Sequence, residues 1–194
     1  MTTEPARRRG DVRQRILDAA ARRFYADGVA ATGIDAITAD AGVAKMSLYN
    51  NFASKSALVE AYLEARHDEW LELYRARAAT AVGPADRLLA VFDAYIDHAN
   101  SAYAHGFRGC GLLNAAAELG HDDPGRQAVR RHKEEVEQIL MGELRGLVEP
   151  DRVRPLAEHL SYLLEGSMAR AGLEGTDERL LGARAIAAGL VSSL

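Results

Sequence analysis

Apolar residues recur at intervals of three and four along the chain, and alternating apolar and polar runs bounded by turn residues are absent. This periodicity predicts an all-α protein. The first predicted helix runs from about Asp11 to Asp27 and ends at Gly28, because glycine tolerates the backbone conformation that follows a helix end. Thr32 is the expected N-cap of a short second helix, which ends at Gly42.

Two further helices complete the N-terminal part of the pattern. Residues 44–51 have room for about two helical turns, and Ser54 is the expected N-cap of a long helix over about residues 55–79. The first three helices form a small head, and the long helix connects that head to the rest of the chain. The predicted division is a basic flexible arm at residues 1–10, a head at 11–56 and a body at 57–194.

The body is predicted to be a helical bundle. Pro84 and Pro124 each mark the start of a helix, and a shorter helix is expected at about residues 111–119. The charged residues after Pro124, Lys133 among them, are expected to form a solvated face. Besides their apolar stripes, the last two helices carry a second set of small or apolar residues, namely Leu181, Ala185 and Ala188. A homodimer is the commonest way to cover such a surface.

Charge is distributed unevenly over the 194 residues. The net charge of −4 argues against a protein coated in basic surface, yet residues 1–55 hold nine basic and six acidic side chains. A small basic head therefore precedes an acidic body. No stretch approaches the roughly 18 uncharged apolar residues of a membrane span, and no apolar signal segment is present. These features predict a soluble, cytoplasmic protein with no membrane partner.

The metal-competent residues form no recognisable ligand motif. His98, His105, Cys110 and His121 are separated by seven, five and eleven positions. As the only cysteine, Cys110 excludes an intrachain disulfide and a multi-cysteine zinc site. We therefore expect no metal and no cofactor. A thiol switch at Cys110 is an alternative, although no second cysteine can resolve a sulfenic acid within the chain.

The segment from Ile34 to Phe52 has the spacing of a helix-turn-helix. Short helix pairs with a glycine turn are also common packing units, so spacing alone is weak support. The second helix adds chemistry, because its polar side chains suit phosphate and base contacts with few acidic residues nearby. These side chains are Lys45, Ser47, Tyr49 and Asn50, with Lys55 at the start of the next helix. Asparagine can hydrogen-bond an adenine edge, and a helix N-terminus beside a lysine can hold a phosphate.

At these residues the chain resembles the DNA-binding domain of the TetR/AcrR family of one-component transcriptional regulators. The sequence ILDAAARRFYADGVAATGIDAI is similar to that family's first helix, glycine stop and second helix. The sequence AGVAKMSLYNNFASKSALVEAYL is similar to its turn, recognition helix and connecting helix. The resemblance covers about residues 11–65 without a gap and implies an N-terminal three-helix helix-turn-helix domain joined by a long helix to a C-terminal helical ligand-binding and dimerisation domain.

The resemblance also implies DNA contacts at matching positions. These positions are Thr32, Gly33, Lys45, Met46, Ser47, Tyr49, Asn50 and Lys55. Gly33 and Met46 depart from the family pattern, which often has a hydroxyl residue and a small residue there. Met46 either packs on a thymine methyl group or is a flexible surface side chain. Arg7, Arg8 and Arg9 either reach a flanking minor groove or form a solubilising tail.

For the body, the resemblance implies a small-molecule site and a two-fold dimer interface built by the last two helices. We expect the effector, a largely apolar molecule, to contact a chamber of apolar side chains with a few polar groups. Its candidate residues are Phe92, Tyr95, Ile96, Phe107, Cys110, Leu113, Asn114, Ala117, Glu118, His132, Tyr162 and Glu165. The alternative is ordinary core packing, with Asn114 and Glu118 capping a helix end or holding a loop.

Two classes of function follow. The first is a DNA-binding regulator, a repressor that binds a palindromic operator as a homodimer and is released by a small-molecule effector. The second is a helical small-molecule-binding protein or enzyme whose head is not used for DNA. Its only candidate acid–base pair is Glu118 with His132, and it lacks a nucleophile, a phosphate loop or a metal signature. The first class is the one we expect, and it is not an enzyme.

Overall fold

The computed structural model describes the backbone of residues 4–101 and 106–194, and the side chains within 10–101 and 106–194. These residues form helices and no strands, which confirms the predicted all-α class. The helices are α1 (Glu4–Asp27), α2 (Ile34–Ala41), α3 (Lys45–Asn51), α4 (Lys55–Ala78), α5 (Pro84–Ala99), α6 (Gly111–Ala117), α7 (Pro124–Leu144), α8 (Pro150–Glu174) and α9 (Glu178–Ser192).

The chain forms two compact units, and α6 belongs to the N-terminal one. The first unit runs to Arg66 and also includes Gly111–Val129, and the second consists of His67–Cys110 and Arg130–Leu194. The first unit is therefore larger than the head expected at residues 11–56. Sequence periodicity locates helices along the chain but does not show which later segment packs with an earlier one.

Helix α1 is longer than its apolar pattern predicts. It begins at Glu4 rather than Asp11, so residues 4–10 of the expected flexible arm are helical. Charged residues with good helix propensity can extend a helix without leaving an apolar stripe. The side chains of Arg7, Arg8 and Arg9 lie outside the described residues, and their contact with DNA stays a prediction.

The start of α2 differs from the expected one. Its N-cap is Gly33, not Thr32, and the Thr32 hydroxyl donates a hydrogen bond to the Gly28 carbonyl oxygen at 2.6 Å. Thr32 is buried, so its hydroxyl needs a partner inside the protein and finds it one turn back along the chain. The predicted caps at Gly42 and Ser54 are confirmed. Gly42 has φ 62°, and Ser54 accepts the Ala57 N–H at 3.1 Å.

Helix α1 holds α2 through two arginines. Arg15 donates to the carbonyl oxygens of Ala41 and Gly42 at 2.5 and 3.0 Å, at the C-terminal end of α2. Arg23 donates to both carboxylate oxygens of Asp40, at 2.6 and 3.1 Å. This pairing lowers the pKa of Asp40, because the hydrogen bonds from Arg23 favour the ionised carboxylate. The carbonyl contacts of Arg15 satisfy backbone groups that a helix leaves open at its end.

The second unit buries the apolar stripes of its helices in one core. The predicted start of α5 at Pro84 is confirmed, with Gly83 as its N-cap. The predicted stripes of the last two helices are also largely buried; their innermost residues are Leu160, Leu164, Met168, Ala171, Leu180, Ala183 and Ala187. Gly172 of α8 lies against Gly109, since a Cβ atom there would be 2.6 Å from the Gly109 nitrogen. This close approach fixes the chain just before Cys110.

None of the helices within residues 4–101 and 106–194 is long and apolar enough to cross a membrane.

Candidate nucleic-acid interface and buried polar cluster

Helix α3 presents a polar, non-acidic surface. Its sequence KMSLYNN contains no carboxylate, and only Leu48 is buried. Lys45, Met46, Tyr49 and Asn50 are exposed, and Ser47 is half-buried. The helix therefore offers an ammonium group, a phenol, an amide and a thioether to whatever approaches it.

The buried side of α3 fixes the orientation of that surface. Leu48 is completely buried and Phe52, which follows the helix, is 4% exposed. The Arg13 guanidinium lies 4.7 Å from the centroid of the Phe52 ring, a cation–π contact from α1. Asn51 donates its amide N–H to the Ser47 carbonyl oxygen at 2.7 Å. Contacts of this kind hold a seven-residue helix that is too short to be stable alone.

Lys45 is paired with an exposed carboxylate in the free protein. Its Nζ lies 2.8 Å from Asp35 Oδ1, and the side chains are 55% and 81% exposed. The hydrogen bond to Asp35 raises the pKa of Lys45, because it favours the protonated amine. An exposed pair of this kind adds little stability, and the ammonium can exchange Asp35 for a phosphate oxygen.

The predicted contacts outside α3 have different outcomes. The structure argues against a side-chain contact from Thr32, because its hydroxyl is buried and already bonded to Gly28. Gly33 is exposed and has no side chain to cap α2, which leaves the first-turn amides open to an anion. Lys55 is half-buried and donates to the Ala30 carbonyl oxygen at 3.4 Å. The remaining predicted DNA contacts stay predictions, at positions with suitable exposure.

Glu118 holds the loop between α1 and α2. Its carboxylate accepts the N–H groups of Val29 at 3.1 Å and of Ala30 at 2.6 Å. A Cβ atom on Gly28, whose φ is 92°, would lie 2.6 Å from Glu118 Oε1, so only glycine fits there. Glu118 was expected in the effector chamber, whereas here it is exposed and bonded to the α1–α2 loop. The residue follows the end of α6 at Ala117, and it holds a loop, as the alternative reading proposed.

We expect Glu118→Ala to loosen the α1–α2 loop. Two backbone N–H groups lose a charged acceptor, which should lower the free energy of unfolding by about 1–2 kcal/mol. Amide hydrogen exchange of Val29 and Ala30 should accelerate. Glu64→Ala is the matched control, since Glu64 is exposed in the same unit. Unchanged exchange at both amides would contradict the assignment.

The second unit contains a largely buried lysine with three partners. Lys133 Nζ lies 2.7 Å from Glu165 Oε1, 3.2 Å from the Tyr95 hydroxyl and 3.6 Å from Cys110 Sγ. Burial alone lowers the pKa of the Lys133 ammonium, but its interactions with Cys110, Tyr95 and Glu165 outweigh burial and hold the pKa well above its ordinary value. Burial raises the pKa of Tyr95. We call Tyr95, Cys110, Lys133 and Glu165 the Lys133 cluster.

Lys133 was expected on a solvated face, and this expectation is wrong. It lies four positions after Val129 and three before Val136, both of which are buried. At 3.6 residues per turn these positions share one face of α7, so the periodicity contained the signal. The sequence did not show which side chains pair with Lys133. These partners come from α5, from α8 and from the residue before α6.

The predicted effector chamber is only partly assembled. Tyr95, Cys110 and Glu165 meet in the Lys133 cluster, and Phe92 is fully buried in the core of the same unit. Leu113 and Tyr162 are 40% and 69% exposed, so they do not line an interior wall, and Ala117 is also exposed. Ile96, Phe107 and Asn114 are half-buried. Leu113, Asn114 and Ala117 also belong to the first unit, whereas the cluster lies in the second.

His132 belongs to a separate pair. Its Nδ1 lies 2.8 Å from Nδ1 of His67, and His67 Nε2 lies 3.4 Å from Glu135 Oε2. A hydrogen bond between two ring nitrogens needs one protonated and one bare nitrogen, so both rings cannot be doubly protonated. Burial, with the nearby charges of Lys133, His67 and His98, lowers the pKa of His132 to about 2. The expected acid–base pairing of His132 with Glu118 loses its support, since each has its own partners.

The buried His132 predicts that the protein loses stability in acid. The folded state holds the pKa at about 2 against 6.5 for the free side chain, so between these values only the unfolded state takes up the proton. Lowering the pH from 7.5 to 5 should cost about 2 kcal/mol of unfolding free energy from this group. Urea unfolding at the two pH values measures the cost. His132→Leu should reduce the pH dependence by that amount, whereas the exposed His121→Leu should not.

The metal-competent residues give no cluster where they are described. No group of three or more His, Cys, Asp or Glu side chains that could hold a metal ion occurs in the described part of the chain. His105 lies outside the described residues.

An exposed short helix supported by two other helices is the architecture of a helix-turn-helix protein. Comparison with known proteins narrows this class. Residues 16–62 match the family model described as bacterial regulatory proteins, tetR family, and residues 84–187 match that of the tetracyclin repressor-like C-terminal domain. The chain belongs to the TetR family of transcriptional regulators, which confirms the resemblance and makes it a regulator rather than an enzyme.

Individual relatives agree with this assignment. A TetR-family regulator from Streptomyces coelicolor shares 30% identity, with a TM-score of 0.84 over 94% of this chain and 97% of that one. A TetR regulator from Chloroflexus aurantiacus J-10-FL shares 26% identity, with a TM-score of 0.83 over 96% of each chain. The HTH-type transcriptional regulator TtgR of Pseudomonas putida is 39% identical over 66 residues. That match covers 34% of this chain and 31% of the relative, so it spans only part of either protein.

Proposed function

We propose that this protein is a ligand-responsive repressor, which binds a palindromic operator as a homodimer and leaves DNA when a small molecule binds its second unit. The observation that carries the proposal is the α3 surface, where exposed Lys45, Met46, Tyr49 and Asn50 stand on a buried anchor at Leu48. A rigid anchor with exposed donors and acceptors is what major-groove recognition needs.

The residues of α3 divide between base recognition and phosphate contact. Asn50 has an amide that can form two hydrogen bonds to an adenine edge. Lys45 and Lys55 supply ammonium groups for phosphates, and the open amides at the start of α2 add an uncharged donor set. Met46 is 70% exposed, which suits an apolar contact with a thymine methyl group.

The outer faces of α8 and α9 support the proposed dimer. Leu173 is 84% exposed and Ile186 is 55% exposed, although both are large apolar residues. A Cβ atom at Gly166, Gly182 or Gly189 would meet nothing within 4 Å, so a partner backbone could approach closely there. A two-fold dimer covers such a face and presents two α3 helices to two half-sites.

The chain also links the Lys133 cluster to the DNA-binding head. Cys110 of the cluster directly precedes α6, and Glu118 directly follows it. Glu118 holds the loop that leads into α2. An effector that displaces Cys110 would move α6 and with it the acceptor of the loop amides. This gives the proposed release a physical route, since the effector must favour one of two arrangements.

Selection of duplexes from a randomised library should yield a palindrome that survives an increase from about 50 to 200 mM salt. Asn50→Ala should cost about 1–3 kcal/mol of binding free energy and relax specificity at one base per half-site. Lys45→Ala should weaken all sequences alike and reduce the salt slope by about one per head. The control is Ser56→Ala, at an exposed position outside α3. Wild-type operator binding by Asn50→Ala and Lys45→Ala together would refute DNA recognition through α3.

Ile186→Glu should dissociate the dimer. A carboxylate in an apolar interface loses its hydration without gaining a partner, which should weaken association by two orders of magnitude or more. Sedimentation measures the change, and circular dichroism should stay that of a helical protein. Gln127→Glu adds the same charge at an exposed position of α7 and should leave association unchanged. A dimeric Ile186→Glu variant would place the interface elsewhere.

A further inference from the structure

Two buried polar atoms beside the Lys133 cluster have no hydrogen-bond partner among the residues that the structure describes. One is the indole Nε1 of Trp70, whose side chain is 3% exposed. The other is Oε2 of Glu165, the carboxylate oxygen that does not contact Lys133. The Trp70 ring packs against Tyr95, with ring centroids 5.3 Å apart, and so belongs to the same region of the second unit. A buried donor and a buried acceptor left open are costly unless something binds them.

Lys133 itself is not available to a ligand. An ammonium has three N–H donors, and the three neighbours of Lys133 Nζ are Glu165, Tyr95 and Cys110. Its positive charge is also neutralised by Glu165 at 2.7 Å. A carboxylate or phosphate ligand would have to displace Glu165 and leave that residue as an unpaired buried charge. The cluster therefore disfavours an anion, although it contains a lysine.

A single ligand group that both donates and accepts would satisfy both open atoms. A hydroxyl group can donate to Glu165 Oε2 and accept from Trp70 Nε1–H. An ammonium ligand would satisfy Glu165 but leave the indole N–H open, and a ligand carbonyl would do the reverse. The surroundings of the indole are aromatic, since Trp70 stacks on Tyr74 at 5.8 Å and meets His132 edge-on at 5.4 Å. Flat apolar rings suit such walls.

Access to the cluster is open at two side chains. Lys133 and Glu165 keep side-chain exposures of 20% and 28%, although Glu165 Oε2 itself is buried. The cluster is therefore enclosed but not completely sealed from solvent. Most small-molecule sites combine this enclosure with one or two placed polar groups.

We infer that the second unit binds an uncharged aromatic or polycyclic molecule through one hydroxyl group, held by Glu165 and Trp70. The inference rests on the proposed function in one respect, because it takes this molecule to be the effector of the proposed repressor. Binding itself is independent of DNA and can be measured on the full chain alone.

Matched naphthalene probes test the ligand class. Calorimetric titration of the full-length protein should show that 2-naphthol binds at least tenfold more tightly than naphthalene-2-carboxylate or 2-(aminomethyl)naphthalene. Trp70→Phe keeps an aromatic ring but removes the N–H, and it should weaken 2-naphthol binding about tenfold. Tyr162→Phe, which removes a hydroxyl from an exposed side chain of the same unit, is the control and should change the affinity less than twofold.

The chain offers a direct readout of the indole contact. Trp70 is the only tryptophan, so the protein has one indole N–H resonance. Binding of 2-naphthol should move this resonance downfield, as a new hydrogen bond forms. Glu165→Gln should also weaken 2-naphthol binding, and Trp70→Phe keeps the test valid if the loss of the Lys133 ion pair impairs folding.

The outcomes separate this inference from the proposed function. Equal or tighter binding of the carboxylate probe, no binding of any probe up to about 1 mM, or unchanged 2-naphthol affinity in Trp70→Phe would each overturn the inference. Operator selection by the same preparation tests the repressor independently. Specific 2-naphthol binding without DNA binding would keep the ligand site and reject the repressor, and the reverse result would reject only the ligand site.

Discussion

The buried ammonium of Lys133 is the constraint on which the organisation of the second unit depends. A charge removed from water must be paired and hydrogen-bonded, and the partners of Lys133 come from α5, from α8 and from the residue that precedes α6. One side chain thus requires three separate segments to come together. These partners use all three N–H donors of Lys133. Among the described residues of this region, Trp70 Nε1 and Glu165 Oε2 are left without a hydrogen-bond partner.

The first unit holds the very short helix α3 in place while most of the surface of that helix stays exposed to solvent. Leu48 and Phe52 anchor α3, and Arg13 covers the Phe52 ring. Arg15 closes the end of α2, and Glu118 fixes the loop that leads into it. These contacts use backbone carbonyls and amides as much as side chains. The exposed side chains of α3 therefore contribute little to holding the helix in place.

Much of the fold was predictable because local signals and the helical period agree. Pro84 at the start of α5, Gly42 after α2 and Ser54 before α4 each act within a few residues of their own position. The recognition helix was predictable for the same reason, with the right residue types at the right spacing. Thr32 was misassigned as an N-cap because two neighbouring residues can both begin the helix. Burial then decided in favour of Gly33, since the Thr32 hydroxyl found an internal acceptor.

The sequence by itself determined the helices, the caps at Gly42 and Ser54, the basic head and the polar surface of α3, because each depends on interactions between residues that are close along the chain. Only the tertiary structure decided that Glu118 holds the α1–α2 loop and that Lys133 is buried with Glu165. Those pairs are separated by 88 positions and by 32, and no periodicity links residues so far apart. Charged side chains are usually exposed to solvent, so a sequence alone predicts that they lie on the surface. Their burial here follows from packing, which brings opposite charges and open amides within hydrogen-bonding distance.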